Sequence, residues 1–391
     1  MIQGIKNCSF LLVILFLFFY SFTQIDLSLT LSQASIWQDI QKNFQYIGYF
    51  NRPLSTGLYI VILVLMFGYY LWYLRNAIKN KIKLKELTII IVLTSLILSF
   101  SYNAFSYDLF NYIFDAKIVT YYHENPYFHR AMDYPTDPML SFMRWTHRVY
   151  PYGPIWLGLT IPISFIGLNI FLLTFFLFKF FITTFYLGSV FLIYKINKKI
   201  NPQNAIFNTA FFALNPLVII ESLVSSHHDI VMVFFALVGI HLFFLKKRIL
   251  AIILVIISSQ VKIPTIGLLM PLIVSFIPFK SKLDDNRFII LTIISMFLAS
   301  FYALTKIEIQ PWYFIWVLPF IALLKPNKYV LGAVIGFSLG LLLRYTVLLY
   351  FGNWDGIGVP IRNGLTIVIP LICLLAVYVY EKLPISVRTQ E

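Results

Sequence analysis

Charge is scarce in this sequence: only 12% of its 391 residues are Asp, Glu, Lys or Arg, while 60% are hydrophobic. A soluble domain cannot hide that much apolar surface in one core, and the mean hydropathy of +0.82 excludes the ordinary globular class. Cysteine is scarcer still. Cys8 and Cys373 sit in opposite terminal apolar segments, a spacing that fits neither a metal site nor a disulfide framework. The first apolar run lacks a small-residue cleavage site between Thr23 and Leu31, so it reads as a retained span and not as a removed signal peptide. With no strong internal repeat and no low-complexity linker, a single membrane domain over residues 1–391 is the simplest division.

What the chain has instead is apolar runs, recurring from Cys8 to Tyr380, each long enough to cross about 30 Å of hydrocarbon as a helix. Helices satisfy their own backbone in lipid, so the expected fold is an all-α, polytopic transmembrane bundle. The net charge of +14 does not point to nucleic acid, because Lys and Arg fall in short clusters between the runs: Arg75–Lys85, Lys195–Lys199, Lys246–Arg248, Lys280–Arg287, Lys325–Lys328 and Lys382–Arg388, with Lys6. Placing these clusters in the cytoplasm follows the positive-inside rule and leaves both termini there. The spans then read near 8–24, 55–74, 87–105, 169–194, 205–222, 229–245, 288–305, 312–324, 329–349 and 364–380. Residues 249–279, interrupted at Lys262 and Pro264, read as two short crossings, and 154–168 as a re-entrant or half-helix. The total is about 12 crossings in a multi-pass cell-membrane protein.

On this reading the polar residues gather at the extracytoplasmic face, above all in a large loop over 106–153. Asp108, Asn111 and Asp115 would share one side of a helix and Leu109, Phe110, Ile113 and Phe114 the other. That pattern predicts an amphipathic helix at the interface presenting Asp108 to a wet cleft, although Asp108 as a plain N-cap accounts equally for the spacing. The loop continues through Asn125-Pro126-Tyr127 and a Tyr-, His- and Trp-rich tract to Tyr150-Pro151-Tyr152-Gly153-Pro154; such aromatics serve either as interfacial anchors or as walls of a sugar cleft. A second constellation comprises Asn215-Pro216, Glu221, His227, His228 and Asp229. Ionisable groups at a membrane edge point to function, but consecutive side chains on a helix diverge by about 100°, which disfavours one metal on 227–229. Hydrogen bonding to a polar substrate or phosphate fits better, with a structural turn as the alternative. Lys262 and Arg344 are isolated cations on the same side, suited to a lipid-linked phosphate or to snorkelling toward headgroups. Lys179, in mid-span, requires an interior partner or a shifted boundary.

Taken in order, Tyr107-Asp108, Asn125-Pro126-Tyr127, Tyr152-Gly153-Pro154, Asn215-Pro216 with Glu221, His227 with Asp229, Lys262 and Pro311-Trp312-Tyr313 resemble the polyprenyl-phosphate-mannose-dependent mannosyltransferases, within the GT-C membrane glycosyltransferases. The resemblance covers about residues 100–320. It implies metal-independent, inverting transfer of a hexose, mannose being the family's commonest choice, from a polyprenyl-phosphate donor to a hydroxyl of a glycan, lipid or protein acceptor, with no cofactor. It assigns Asp108 as general base, Lys262 and Arg344 to the phosphate, and His227 with Asp229 to the donor or leaving group. Asp115, Tyr152, Glu221, His228, Trp312 and Tyr313 would complete the substrate site. Two departures stand out: the family's His-Asn-Asp turn reads His227-His228-Asp229 here, and Asp108 has no adjacent acidic partner. A transporter or flippase of a lipid-linked saccharide would need the same cations and aromatic walls, and a scaffold without activity would tolerate loss of Asp108.

Overall fold

The computed structural model describes residues 2–277 and 284–382 and contains helices but no strand among them. Continuous apolar sequence, punctuated by Pro, Asn and Gly, produces sixteen α-helices: α1 (Ile2–Ser21), α2 (Ser35–Gln45), α3 (Arg52–Ile78), α4 (Leu84–Ser99), α5 (Asp108–Thr120), α6 (Pro154–Ile166), α7 (Phe171–Ile200), α8 (Ala205–Ala213), α9 (Pro216–Ile219), α10 (Asp229–Phe244), α11 (Arg248–Ser259), α12 (Leu269–Val274), α13 (Asp285–Leu304), α14 (Leu318–Ile321), α15 (Lys328–Phe351) and α16 (Gly358–Lys382).

Among the described residues, six stretches are long and apolar enough to cross a membrane: Lys6–Gln24, α3, α7, α13, α15 and α16. The pair α8 and α9, bent by 54°, makes a seventh if it is one span. The remaining apolar helices are shorter. The expected crossings at 87–105 and 229–245 correspond to α4 and α10, of 16 residues each, and 154–168 to α6, whose 13 residues extend only about 20 Å. Chain 249–279 breaks at Lys262 as the sequence predicts, with α11 on one side and a turn over Ile263–Leu268 leading to α12 on the other. Of the basic clusters, Lys280, Lys282 and Arg388 lie outside the described residues.

The core runs through the middle of the chain. Residues 205–233 are almost entirely buried, and α10 packs against α7, α11 and the turn over Pro311–Trp316. The bend between α8 and α9 is made by Asn215-Pro216: Asn215 Oδ1 accepts from the Leu217 N–H at 2.9 Å, its amide donates to Ser338 Oγ at 3.0 Å, and Pro216 opens α9 where no N–H is needed. At the periphery α15 and α16 meet along Gly336 and Gly340, where an added Cβ would come within 2.6 Å of Pro370 and 2.7 Å of the Leu365 carbonyl. Helices in lipid gain from such close approach, since no hydrophobic force separates them from lipid tails. The other face of α16 carries exposed Ile367, Leu371 and Leu375.

Candidate functional site

Helix α5 supplies the first wall. Asp108 begins it, its N–H donating to Ser106 Oγ at 3.1 Å. The helix predicted after Asp108 is therefore present, with eight of its 13 residues buried, Asn111 among them. Asp108, Tyr112 and Asp115, spaced i, i+4 and i+7, share a face. The loop returns beside it through Gly153, which packs so closely on the backbone of Gln260 that a Cβ would lie 1.9 Å from the Gln260 carbonyl oxygen. This contact holds Tyr152 at one side of the site and the Lys262 break at the other.

The second wall is the turn between α9 and α10. After α9 the helix widens into a π turn, the Ser225 N–H donating to the Ile220 carbonyl at 2.8 Å and the His227 N–H to that of Glu221 at 3.0 Å. Wide turns of this kind recur at functional sites. Ser226, fully buried, sits at φ +52°, a left-handed conformation that costs a non-glycine residue on the order of 1–2 kcal/mol. The turn is clamped by Lys179, whose Nζ donates to the carbonyls of Leu223 (3.0 Å) and Val224 (2.9 Å) and to Ser101 Oγ (3.1 Å). Three donors thus meet three acceptors, which supplies the interior partner that a mid-span lysine requires.

The side chains held by these walls converge. His227 lies between two carboxylates, Nδ1 3.7 Å from Asp108 Oδ2 and Nε2 3.3 Å from Glu221 Oε2, with its ring stacked on Trp312 at 4.0 Å. Glu221 Oε1 accepts from the Tyr345 hydroxyl at 3.0 Å. His228 is caged by Tyr112, Tyr152 and Trp156, and its Nδ1 is 2.8 Å from the Tyr112 hydroxyl. Asp229, at the positive end of α10, receives Lys262 Nζ at 2.8 Å and the Trp316 indole N–H on the same oxygen. Lys262 also lies over the rings of Tyr313 (5.3 Å) and Trp316 (5.2 Å).

Several buried polar atoms here have no hydrogen-bond partner among the described residues: both ring nitrogens of His227, His228 Nε2, Glu221 Oε2 and Asp229 Oδ2. Each such group carries a desolvation cost of about 1–3 kcal/mol that a hydroxyl-bearing ligand or water would relieve. Burial also sets the charge states. It pushes the Asp108 carboxyl above the ordinary carboxylate range, against the pull of Arg148 and Lys262, and raises Asp115 to about 7 with Arg148 opposing. His227 and His228 are held well below the usual imidazole value by burial and by the Lys262 cation, so both are neutral near pH 7.

Of the residues singled out from the sequence, Asp108, Tyr152, Glu221, His227, His228, Asp229, Lys262, Trp312 and Tyr313 come together. Asp115 adjoins them through Arg148, whose charge acts on both Asp108 and Asp115. Arg344 turns elsewhere: it is buried against Glu308 (2.9 Å), the Arg362 carbonyl and Thr366, with Arg362 on the same Glu308. Only its neighbour Tyr345 reaches the site. Arg148, Tyr112, Trp156, Trp316 and Tyr345 belong to the site without having been singled out. Arg148 was legible only as one basic residue within the aromatic tract, and the others as ordinary apolar periodicity. Among the described residues no three His, Cys, Asp or Glu side chains are grouped as a metal ion would require; the cation that Asp229 meets is Lys262.

Compared with known proteins, residues 27–278 match the family model described as "Alpha-(1->6)-mannopyranosyltransferase, N-terminal domain", an interval that includes Asp108, the 225–229 turn and Lys262. No curated protein and no solved structure matches the chain.

Proposed function

Because the chain belongs to the alpha-(1->6)-mannopyranosyltransferase family, we propose that it transfers mannose from a polyprenyl-phosphate carrier to an acceptor hydroxyl at the extracytoplasmic face of the membrane, as a GT-C-type enzyme with inversion and without a metal. The observation that carries this reading is the cluster of unpartnered buried polar atoms on Glu221, His227, His228 and Asp229 beside Asp108. Carboxylate and imidazole acceptors in that number suit the hydroxyls of a sugar. The aromatic faces of Tyr152, Trp312 and Tyr313 suit its rings.

In the proposed step the acceptor oxygen bonds to the anomeric carbon as the bond from that carbon to the phosphate oxygen breaks, the polyprenyl phosphate departing with the electron pair. The acceptor proton passes to Asp108, a positioned carboxylate whose raised affinity for protons makes it a better base than a free one. In the same reading the neutral His227, Nδ1 3.7 Å from Asp108 and Nε2 3.3 Å from Glu221, lends its open ring nitrogens to sugar hydroxyls beside that base. Negative charge grows on the leaving phosphate, and stabilising it needs cations. Lys262 is already engaged by Asp229, and Arg344 by Glu308. Arg148 has no ion pair among the described residues and leans over Trp145 and Tyr152. The phosphate role expected of Lys262 and Arg344 therefore passes chiefly to Arg148 and Lys262.

In the same proposal the basic clusters are cytoplasmic, some of the shorter helices complete crossings beyond the six long ones, α5 lies at the interface at the start of the 106–153 loop, and residues 1–391 form one membrane domain. The deciding experiment offers purified protein in liposomes radiolabelled mannose on either polyprenyl phosphate or a nucleoside diphosphate, with a mannoside acceptor. Transfer from the lipid donor alone supports the proposal; transfer from the nucleotide donor alone overturns it.

A further inference from the structure

A cavity of about 190 Å³ with a mixed polar and apolar lining lies on the far side of α5 from the site. At 100° per residue, Ile113, Lys117 and Thr120 occupy the face of α5 opposite to Asp108, Tyr112 and Asp115. These three residues line the cavity together with Asp137, Ser164 and Asn169. The thickness of α5, about 10 Å, thus separates this cavity from the face that carries Asp108. The volume accommodates on the order of ten waters, or a ligand of monosaccharide size.

The lining selects for chemistry. Lys117 and Asp137 form an ion pair at 2.5 Å. Asp137 is heavily engaged: Oδ1 takes the Met139 N–H at 2.9 Å and Oδ2 the Tyr122 hydroxyl at 2.7 Å, and although burial opposes its charge, these bonds and Lys117 hold its carboxyl below the usual range. A charged ligand would meet one member of this pair unfavourably. The Lys117 ammonium has three hydrogens and spends one on Asp137, leaving two donors. Thr120 and Ser164 share one hydrogen bond at 2.9 Å, and the Thr174 hydroxyl donates to the Ile170 carbonyl at 2.9 Å, so their lone pairs remain as acceptors.

Above the cavity the α6–α7 turn holds Leu168 at φ +51° and Asn169 at φ +58°. Asn tolerates the left-handed region; Leu does not, and each costs about 1–3 kcal/mol unless held by its surroundings. The turn brings Asn169 to the rim of the cavity, where it is exposed and its amide makes no hydrogen bond among the described residues, and leaves Leu168 exposed between exposed Phe165 and Ile170. The rim is therefore largely apolar, and the lining combines apolar Pro138, Met139 and Phe171 with the polar groups of Lys117, Thr120 and Ser164.

We propose that this cavity is a second binding site, for a neutral polyhydroxylated group, separate from the transfer site. Two sources share that chemistry: a non-reacting sugar of a glycan acceptor, and the sugar headgroup of a glycolipid in the adjacent leaflet. The test uses the full chain in phosphatidylcholine nanodiscs. One arm titrates free mannotriose by calorimetry; the other adds monohexosyl diacylglycerol and counts bound copies by native mass spectrometry. Ser164→Leu fills the cavity, and Asn169→Gly removes the amide while relieving the backbone, so its melting temperature should hold or rise. Either probe should bind about tenfold more weakly to both variants, as expected for the loss of one to two hydrogen bonds. The arm that responds identifies the source. Binding insensitive to both cavity variants, or no binding in either arm by folded wild type, overturns the proposal. Neither arm measures transfer, so a failed donor assay leaves the result intact.

Discussion

Asp108, the proposed base, is tuned by its neighbours. Burial raises its proton affinity, and Arg148 and Lys262 partly restore the charged form. The base works only when deprotonated, so activity is lost as pH falls through its folded pKa. Removing a nearby cation raises that pKa further. Arg148→Gln should therefore move the acid limb of kcat/KM to higher pH and raise KM for the lipid donor, while Arg148→Lys should largely preserve the limb; a pH-rate series on the three proteins checks this, and an unmoved limb in Arg148→Gln would remove Arg148 from the site. At this scale the sequence showed the acids and histidines plainly, because such groups are costly at a membrane edge. It could not show that Arg344 is consumed by Glu308, since that pairing joins residues 36 apart in the chain.

The elements explain why those side chains meet. The 225–229 turn depends on a wide helical turn, a strained Ser226 and the Lys179 clamp. Lys179→Met should leave the Leu223 and Val224 carbonyls without that partner, cost roughly 2 kcal/mol or more of stability, and lower transfer at temperatures where the fold persists. Thermal melts with parallel assays test this; unchanged melting and turnover would show that the clamp is dispensable. On α5, Asp115 has a folded pKa near 7 against about 4 when unfolded. A carboxyl with a raised folded pKa is destabilising once ionised, so the loss develops as pH rises from about 4 to 7 and persists above. Asp115→Asn should melt higher than wild type at pH 8 and equally near pH 4. The helix after Asp108 and the Lys262 break were readable from periodicity and from proline, whereas the Asn215-Pro216 bend falls inside what the sequence presents as one span over 205–222. The wide turn and the Lys179 contacts were not, because they are made by backbone carbonyls that every residue possesses.

At the scale of the molecule, composition alone gave an all-helical membrane protein, and the six long apolar helices agree with it. The short helices at the centre were harder to read, because apolar sequence buried in protein and apolar sequence facing lipid look alike. Orientation has its own test. In a background with Cys8 and Cys373 changed to Ser, single cysteines at Lys81 and His129 are probed in intact cells with a membrane-impermeant maleimide. The residue-129 cysteine should label at once and the residue-81 cysteine only after permeabilisation; the reverse pattern would invert the topology and move the site to the cytoplasm.

The proposed chemistry rests on one half-buried carboxylate, Asp108, taking the acceptor proton in mannosyl transfer from a lipid phosphate. Its most direct test compares wild type with Asp108→Asn, which keeps the shape and removes the base, for mannose transfer and for donor binding in the same liposomes. Donor binding should stay within a few-fold of wild type and transfer should fall by at least about 10²-fold. Transfer at the wild-type rate in Asp108→Asn would contradict it.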